Sequence, residues 1–252
     1  MLRARGRIWF ALMLRDIRSR RGRTAESFLL TLAEPVGQLT IVFLVFRALQ
    51  RHPDYGDDLL LFLLTGVLPY FLFTHVVSRI MGANRVALPM LPLGTVSVID
   101  VAIAQLVLES LIVVAFGAAI LLALWLSGVT TAVPYDPLQI VLAFLATAFA
   151  AFGIGLFNAS AQAFMTAYRL LWTLIARSLL FFSSVFYVVE TLPPVFREAL
   201  WWNPLLHGVI WFRTGLYPDY PTVTLSQSYL IAFGLAATLM GLALEAILRR
   251  RA

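Results

Sequence analysis

The sequence has no cysteine and no lysine. Without cysteine there is no disulfide, no thiol nucleophile and no cysteine metal site. Without lysine there is no Walker A loop, because that loop needs a lysine after its glycines to reach the phosphates. Any ATP-driven step therefore requires another polypeptide. Histidine is scarce as well. His52, His75 and His207 lie far apart and show no ligand spacing, so they read as polar surface or interface residues, and no metal site is expected. Charged residues make up only 13% of the 252, whereas 61% are hydrophobic, and the mean hydropathy is +0.88. This balance predicts an all-α polytopic membrane protein, not a soluble domain with a large core. The basic residues are all arginine, nineteen of them, and the net charge is +6.

Residues 1–23 carry eight of those arginines. In helical projection Ile8, Trp9, Leu12, Met13 and Ile17 fall on one side and Arg3, Arg7, Arg15 and Arg18 on the other, which predicts an amphipathic helix lying in the membrane interface. A signal peptide fits less well, because the apolar run is short and no small-residue cleavage site follows. Residues 27–189 then hold five hydrophobic segments, at about 27–49, 59–77, 96–126, 138–157 and 170–189, and a sixth lies at 226–248. Six spans place both termini on one side. The N-terminal segment, the 79–94 loop, the region around Tyr168 and the C-terminal tail hold fifteen arginines. The opposite side holds four: Arg47, Arg51, Arg197 and Arg213. The excess of arginine puts both termini in the cytoplasm. No internal repeat or linker divides the chain, so residues 1–252 read as one membrane domain.

Residues 190–220 fit neither a plain span nor a plain loop. They contain three of the six tryptophans, Trp201, Trp202 and Trp211. One short helix is expected from about Pro194 to Trp201, with proline at its first position where a missing N–H costs nothing. A second is expected from Leu205 to Gly215, after the breaker Asn203-Pro204. Eleven helical residues cover about 16 Å, roughly half a hydrocarbon core. Two half-length helices joined by a turn describe a re-entrant hairpin, which is tolerated at membrane depth when buried in protein or lining a wet cavity. An interfacial aromatic belt is the competing reading.

Three polar residues fall inside hydrophobic segments. Gln105 and Glu109 are four apart and share a helix face. A carboxylate there is costly and is either functional or paired. Arg177, in the fifth segment, is its expected partner by charge and depth. A structural pair is favoured over a proton relay, which would show more ionisable groups.

The ordered set of segments resembles the membrane subunit of ABC-2 type polysaccharide exporters, and most of all their capsule-polysaccharide branch. The residues that carry the resemblance are RDIRSRRGRTAESFLLTLAEP at 15–35, LFLLTGVLPYFLF at 61–73 and ANR at 83–85. They continue with VIDVAIAQLVLES at 98–110, FFSSVFYVVETLPP at 181–194 and WWNPLLHGVIWFRTGLYPDY at 201–220. One departure is that Ser27, Phe28 and Leu32 stand in a stretch where the family usually has glycine and tryptophan.

The resemblance implies an ABC-2 exporter fold and a bacterial inner-membrane location. It also implies a homodimer with two cytoplasmic ABC ATPase subunits that bind ATP and Mg, a periplasmic co-polymerase or adaptor, and a lipid-linked polysaccharide as cargo. This chain would then be a transport subunit, not an enzyme, and would bind membrane lipids but no nucleic acid. In the family the loop between spans two and three couples to the ATPase, which assigns that role to Gly82, Ala83, Asn84 and Arg85. For a glycan cargo the aromatic residues are candidate stacking surfaces, since sugar C–H faces pack on aromatic rings. Phe181, Phe182, Tyr187, Trp201, Trp202 and Tyr217 form that candidate path, and Arg213 would attract an anionic group. O-antigen, teichoic-acid or small-molecule exporters of the same superfamily are alternatives. An integral-membrane glycan transferase is another, but its outer acids lack motif spacing.

Overall fold

The computed structural model describes residues 2–20, 26–87, 96–129, 132–165 and 167–249, with the side chains of 2–4, 19–20, 26–35 and 249 excepted. Ten α-helices follow one another among them: α1 (Leu2–Arg20), α2 (Glu26–Ala48), α3 (Leu59–Met81), α4 (Ala83–Ala87), α5 (Val98–Leu126), α6 (Pro137–Ala161), α7 (Tyr168–Phe182), α8 (Pro194–Trp201), α9 (Pro204–Thr214) and α10 (Gln227–Arg249). The side chains of Ser27, Phe28 and Leu32, residues 88–95 of the predicted cytoplasmic loop and its end, and the last two arginines lie outside what is described.

The helix starts follow from local chemistry. Asp58 caps α3 by accepting the Leu61 amide at 2.7 Å. Ser97 and Asp100 form a reciprocal capping box at the start of α5. Asp136 accepts the amides of Leu138 and Gln139, with Pro137 at the first position of α6. Asn203 caps α9 in the same way, with Pro204 behind it. Each cap satisfies amide donors that a helix N-terminus otherwise leaves unpaired.

Helix α3 is the hub. It is almost wholly buried and packs against α5, α6 and α9, with α2 and α7 alongside. Helices α6 and α10 make the most extensive contact, and glycines set their spacing. Gly153 lies against the Thr238 backbone, Gly234 against Ala150, and Gly241 against Leu156 and Phe157. Small residues let helix backbones approach where lipid gives no hydrophobic drive.

Helices α3, α5, α6 and α10 are long and apolar enough to cross a membrane. A 23-residue helix such as α3 is about 35 Å long. Their outer faces expose Leu111, Leu122, Leu145, Leu235 and Leu239, a surface suited to hydrocarbon and not to water. Helix α7 is shorter than the predicted fifth segment. It stops at Phe182, and residues 183–188 run irregularly, with Ser184 in the left-handed region at φ 59°. The long third segment is one continuous helix, α5. Its first third packs on α1 and α4 through Val98, Val101 and Ala104.

Candidate functional site

Two polar clusters stand at opposite ends of the bundle. At the α4 end, the turn expected to face a partner is largely docked on its own chain. Ala83 and Ala87 are fully buried. The Asn84 side chain donates to the Ala159 carbonyl at 2.6 Å, so it points inward and not toward a partner. Gly82 caps α3 and is half-buried, and Arg85 alone of the four is exposed. Gln162, to which the sequence reading gave no role, donates to the Met81 carbonyl.

Glu109 is buried, and its carboxylate pairs with Arg79 of α3 at 3.2 Å. This corrects the expected partner. Arg177 lies exposed on α7, which packs beside α3, whereas α5 runs along α3 and brings Glu109 to the arginine near its end. Gln105 is buried on the same side of α5, and its side-chain oxygen has no hydrogen-bond partner among the described residues.

The far cluster contains residues 194–214. Helices α8 and α9 fall where the two short helices were expected. Helix α9 runs antiparallel to α6, with Gly208 against Thr147 and Gly215 against Ile140 and the Asp136 carbonyl. The Asn203 turn therefore stands beside the middle of α6. There Asn203 donates to the Phe182 carbonyl at 3.0 Å and to the Ser183 hydroxyl at 2.8 Å, tying the turn to the end of α7. His207 is fully buried and has one ring nitrogen 2.7 Å from the Trp201 carbonyl; the other accepts the Ser226 amide at 3.1 Å. That pattern requires the neutral ring with its proton on Nε2.

Arg213 does not reach a surface. It is completely buried, and its guanidinium donates to the carbonyls of Ser184 at 2.8 Å, Val185 at 2.8 Å and Tyr187 at 3.1 Å. It also donates to Thr65 Oγ1 and to the Tyr220 hydroxyl, and it lies 4.2 Å from the centre of the Phe62 ring. The expected attraction of an anionic cargo is thus replaced by a structural role. The guanidinium takes carbonyls of the irregular stretch that follows α7. Burial raises the Tyr220 phenol pKa against the pull of Arg213, so it remains a neutral hydroxyl.

The aromatic candidates divide. Trp202 is 71% exposed, and Phe181 and Phe182 are exposed too. Trp201 and Tyr187 are half-buried, and Tyr217 is buried in an aromatic cluster with Tyr55 and Tyr220. Trp201 and Trp202 meet edge to face at 5.4 Å. They line an open groove of about 450 Å³ with Pro194, Arg197, Glu198, Val223 and Thr224. Arg197 and Glu198 were missed as site residues; their three- and four-residue spacing from Trp201 on α8 was the available signal. Such a groove offers stacking faces, a cation and a carboxylate to a hydroxyl-rich ligand. Among the described residues no three histidine or carboxylate side chains come together to hold a metal ion.

Residues 7–217 match the ABC-2 type transporter membrane family, and the chain belongs to it. It is 31% identical to the polysialic acid transport protein KpsM of Escherichia coli over 93% of this chain and 90% of that protein. It is 26% identical to the capsule polysaccharide export inner-membrane protein BexB of Haemophilus influenzae, over 96% and 91% of the two chains. It is 27% identical to the corresponding protein CtrC of Neisseria meningitidis serogroup A, over 95% and 90%.

Proposed function

We infer that this chain is the transmembrane subunit of an ATP-driven exporter that moves a lipid-linked capsular polysaccharide across the bacterial inner membrane. The observation that carries this reading is the end-to-end similarity to capsule-export membrane proteins. The chain works as a homodimer with two ATPase subunits that bind ATP and Mg, and it meets a periplasmic adaptor. It forms one membrane domain, crosses six times and keeps both termini in the cytoplasm. Helices α2 and α7 add two crossings to those of α3, α5, α6 and α10, and the arginine distribution supports this orientation. Helices α8 and α9 form a re-entrant hairpin in the outer half of the bilayer. The position of its turn beside the middle of α6 supports that reading. The cargo slides past the Trp201 and Trp202 groove, held by weak repeated contacts.

Capsule export in the native bacterium tests the proposal. Deleting the gene should abolish surface capsule while polymer accumulates inside, and this chain should restore it. Retention of capsule by the deletion strain would refute the reading. Alanine at both Trp201 and Trp202 should reduce export while membrane levels remain at parent values.

A further inference from the structure

The C-terminal ends of α3 and α6 cap each other. The last carbonyls of a helix have no partner within it. Gln162, just past α6, donates to the Met81 carbonyl that closes α3. Asn84, just past α3, donates to the Ala159 carbonyl near the end of α6. Gly155 of α6 and Ile80 of α3 are in direct contact beside this clasp. Helix α4 is thereby fastened to α6 through Asn84, while its buried Ala83 and Ala87 pack with Val98, Val101 and Ala104 of α5.

The other end of α6 is fastened to the hairpin. Trp211 donates its indole N–H to Gln139 Oε1 at 2.7 Å. The Asp136 amide donates to the Gly215 carbonyl at 2.9 Å. Gly208 and Gly215 seat α9 directly on α6, with no side chain of their own between the helices. Between its two clasps α6 is one helix of 25 residues, about 37 Å long. Its only proline is at the first position. Helix α3 touches both clusters as well, but Pro69 interrupts its hydrogen-bond ladder midway and makes it the softer connection.

We propose that α6 is the mechanical link that carries movement of α4 to the α8–α9 hairpin, with Asn84 and Gln162 as positioning residues at one end and Gln139 at the other. This rests on the exporter reading. A displacement of α4 pulls the Ala159 end of α6, and α6 moves the seat of α9 without an intervening hinge. Both ends of α6 are bonded to the elements it would join.

The test uses the chain co-expressed with its ATPase in the native strain and purified as the complex. Ala199→Cys supplies a single exposed thiol on α8, because the chain has no other cysteine. In the parent its labelling by a membrane-impermeant maleimide changes with bound ATP. In the Asn84→Ala/Gln162→Ala variant the complex assembles and hydrolyses ATP, the nucleotide-dependent change in labelling disappears, and export falls by about tenfold. Gln139→Leu, at the far end, gives the same split without touching α4. Three results would overturn the link: parent-level export by either variant, labelling that still follows ATP in the variants, or labelling in the parent that ignores ATP. Loss of hydrolysis together with export would place Asn84 at the ATPase contact and would also overturn it. Failure of the parent chain to restore capsule falls on the exporter reading itself and takes the link with it.

Discussion

Arg79, near the end of α3, holds the buried carboxylate of Glu109 on α5 at 3.2 Å. The two partners are not equally desolvated. Glu109 is 2% exposed and Arg79 is 42% exposed, so water screens one side of the pair. Removing the arginine takes away the charge that compensates a buried carboxylate. Neutralising the glutamate removes the cost together with the benefit. Arg79→Ala should therefore destabilise the protein in detergent by about 1–3 kcal/mol, and Glu109→Gln by less. Thermal unfolding of both single variants and the double variant checks this. A double variant as unstable as the sum of the two singles would show that the pair is not coupled.

Arg213 binds three backbone carbonyls and three hydroxyls from one guanidinium. Lysine keeps the charge but has a single nitrogen and cannot reproduce the planar fork. Arg213→Lys should cost roughly 2–5 kcal/mol, because several buried carbonyls lose their donors. Hydrogen exchange of the amides in residues 183–190 should rise while the centre of α3 stays protected. Unchanged exchange in that segment would show that something other than the guanidinium holds it.

Trp9 of α1 donates its indole N–H to Asp100 of α5 at 2.9 Å, and Leu12 of α1 packs beside Val101 and Ala104. The sequence predicts an interfacial helix with Trp9 on its apolar side, and the structure docks that side on α5. Trp9→Phe keeps the ring and removes the donor, at a cost of about 1 kcal/mol. Both Trp9→Phe and Asp100→Asn should speed trypsin cleavage after Arg15 and Arg18, measured on protein in inside-out vesicles. Cleavage at the parent rate would show that apolar packing alone keeps α1 in place.

The hairpin helices were legible because their punctuation is local. Pro194 and Pro204 start helices by their fixed φ, and Asn203 caps the second with its own side chain. The shortening of α7 was not legible, because a hydrophobic run shows no sign that an arginine thirty residues later takes the carbonyls beyond Phe182. Asn84 looked like an exposed turn residue beside Arg85. Only the position of α6 reveals the carbonyl it serves.

By itself, then, the sequence determined that this chain is a helical membrane protein with two short helices in a broken, tryptophan-rich stretch before its last helix. Hydropathy, arginine placement and proline act within a few residues and need no knowledge of neighbours. Only the tertiary structure decided that Glu109 meets Arg79 and not Arg177, that Arg213 turns inward, and that α6 joins the two polar ends. Those outcomes depend on which helices lie side by side. Polar groups in a low-dielectric bundle take the nearest partner that satisfies them, whatever its distance along the chain.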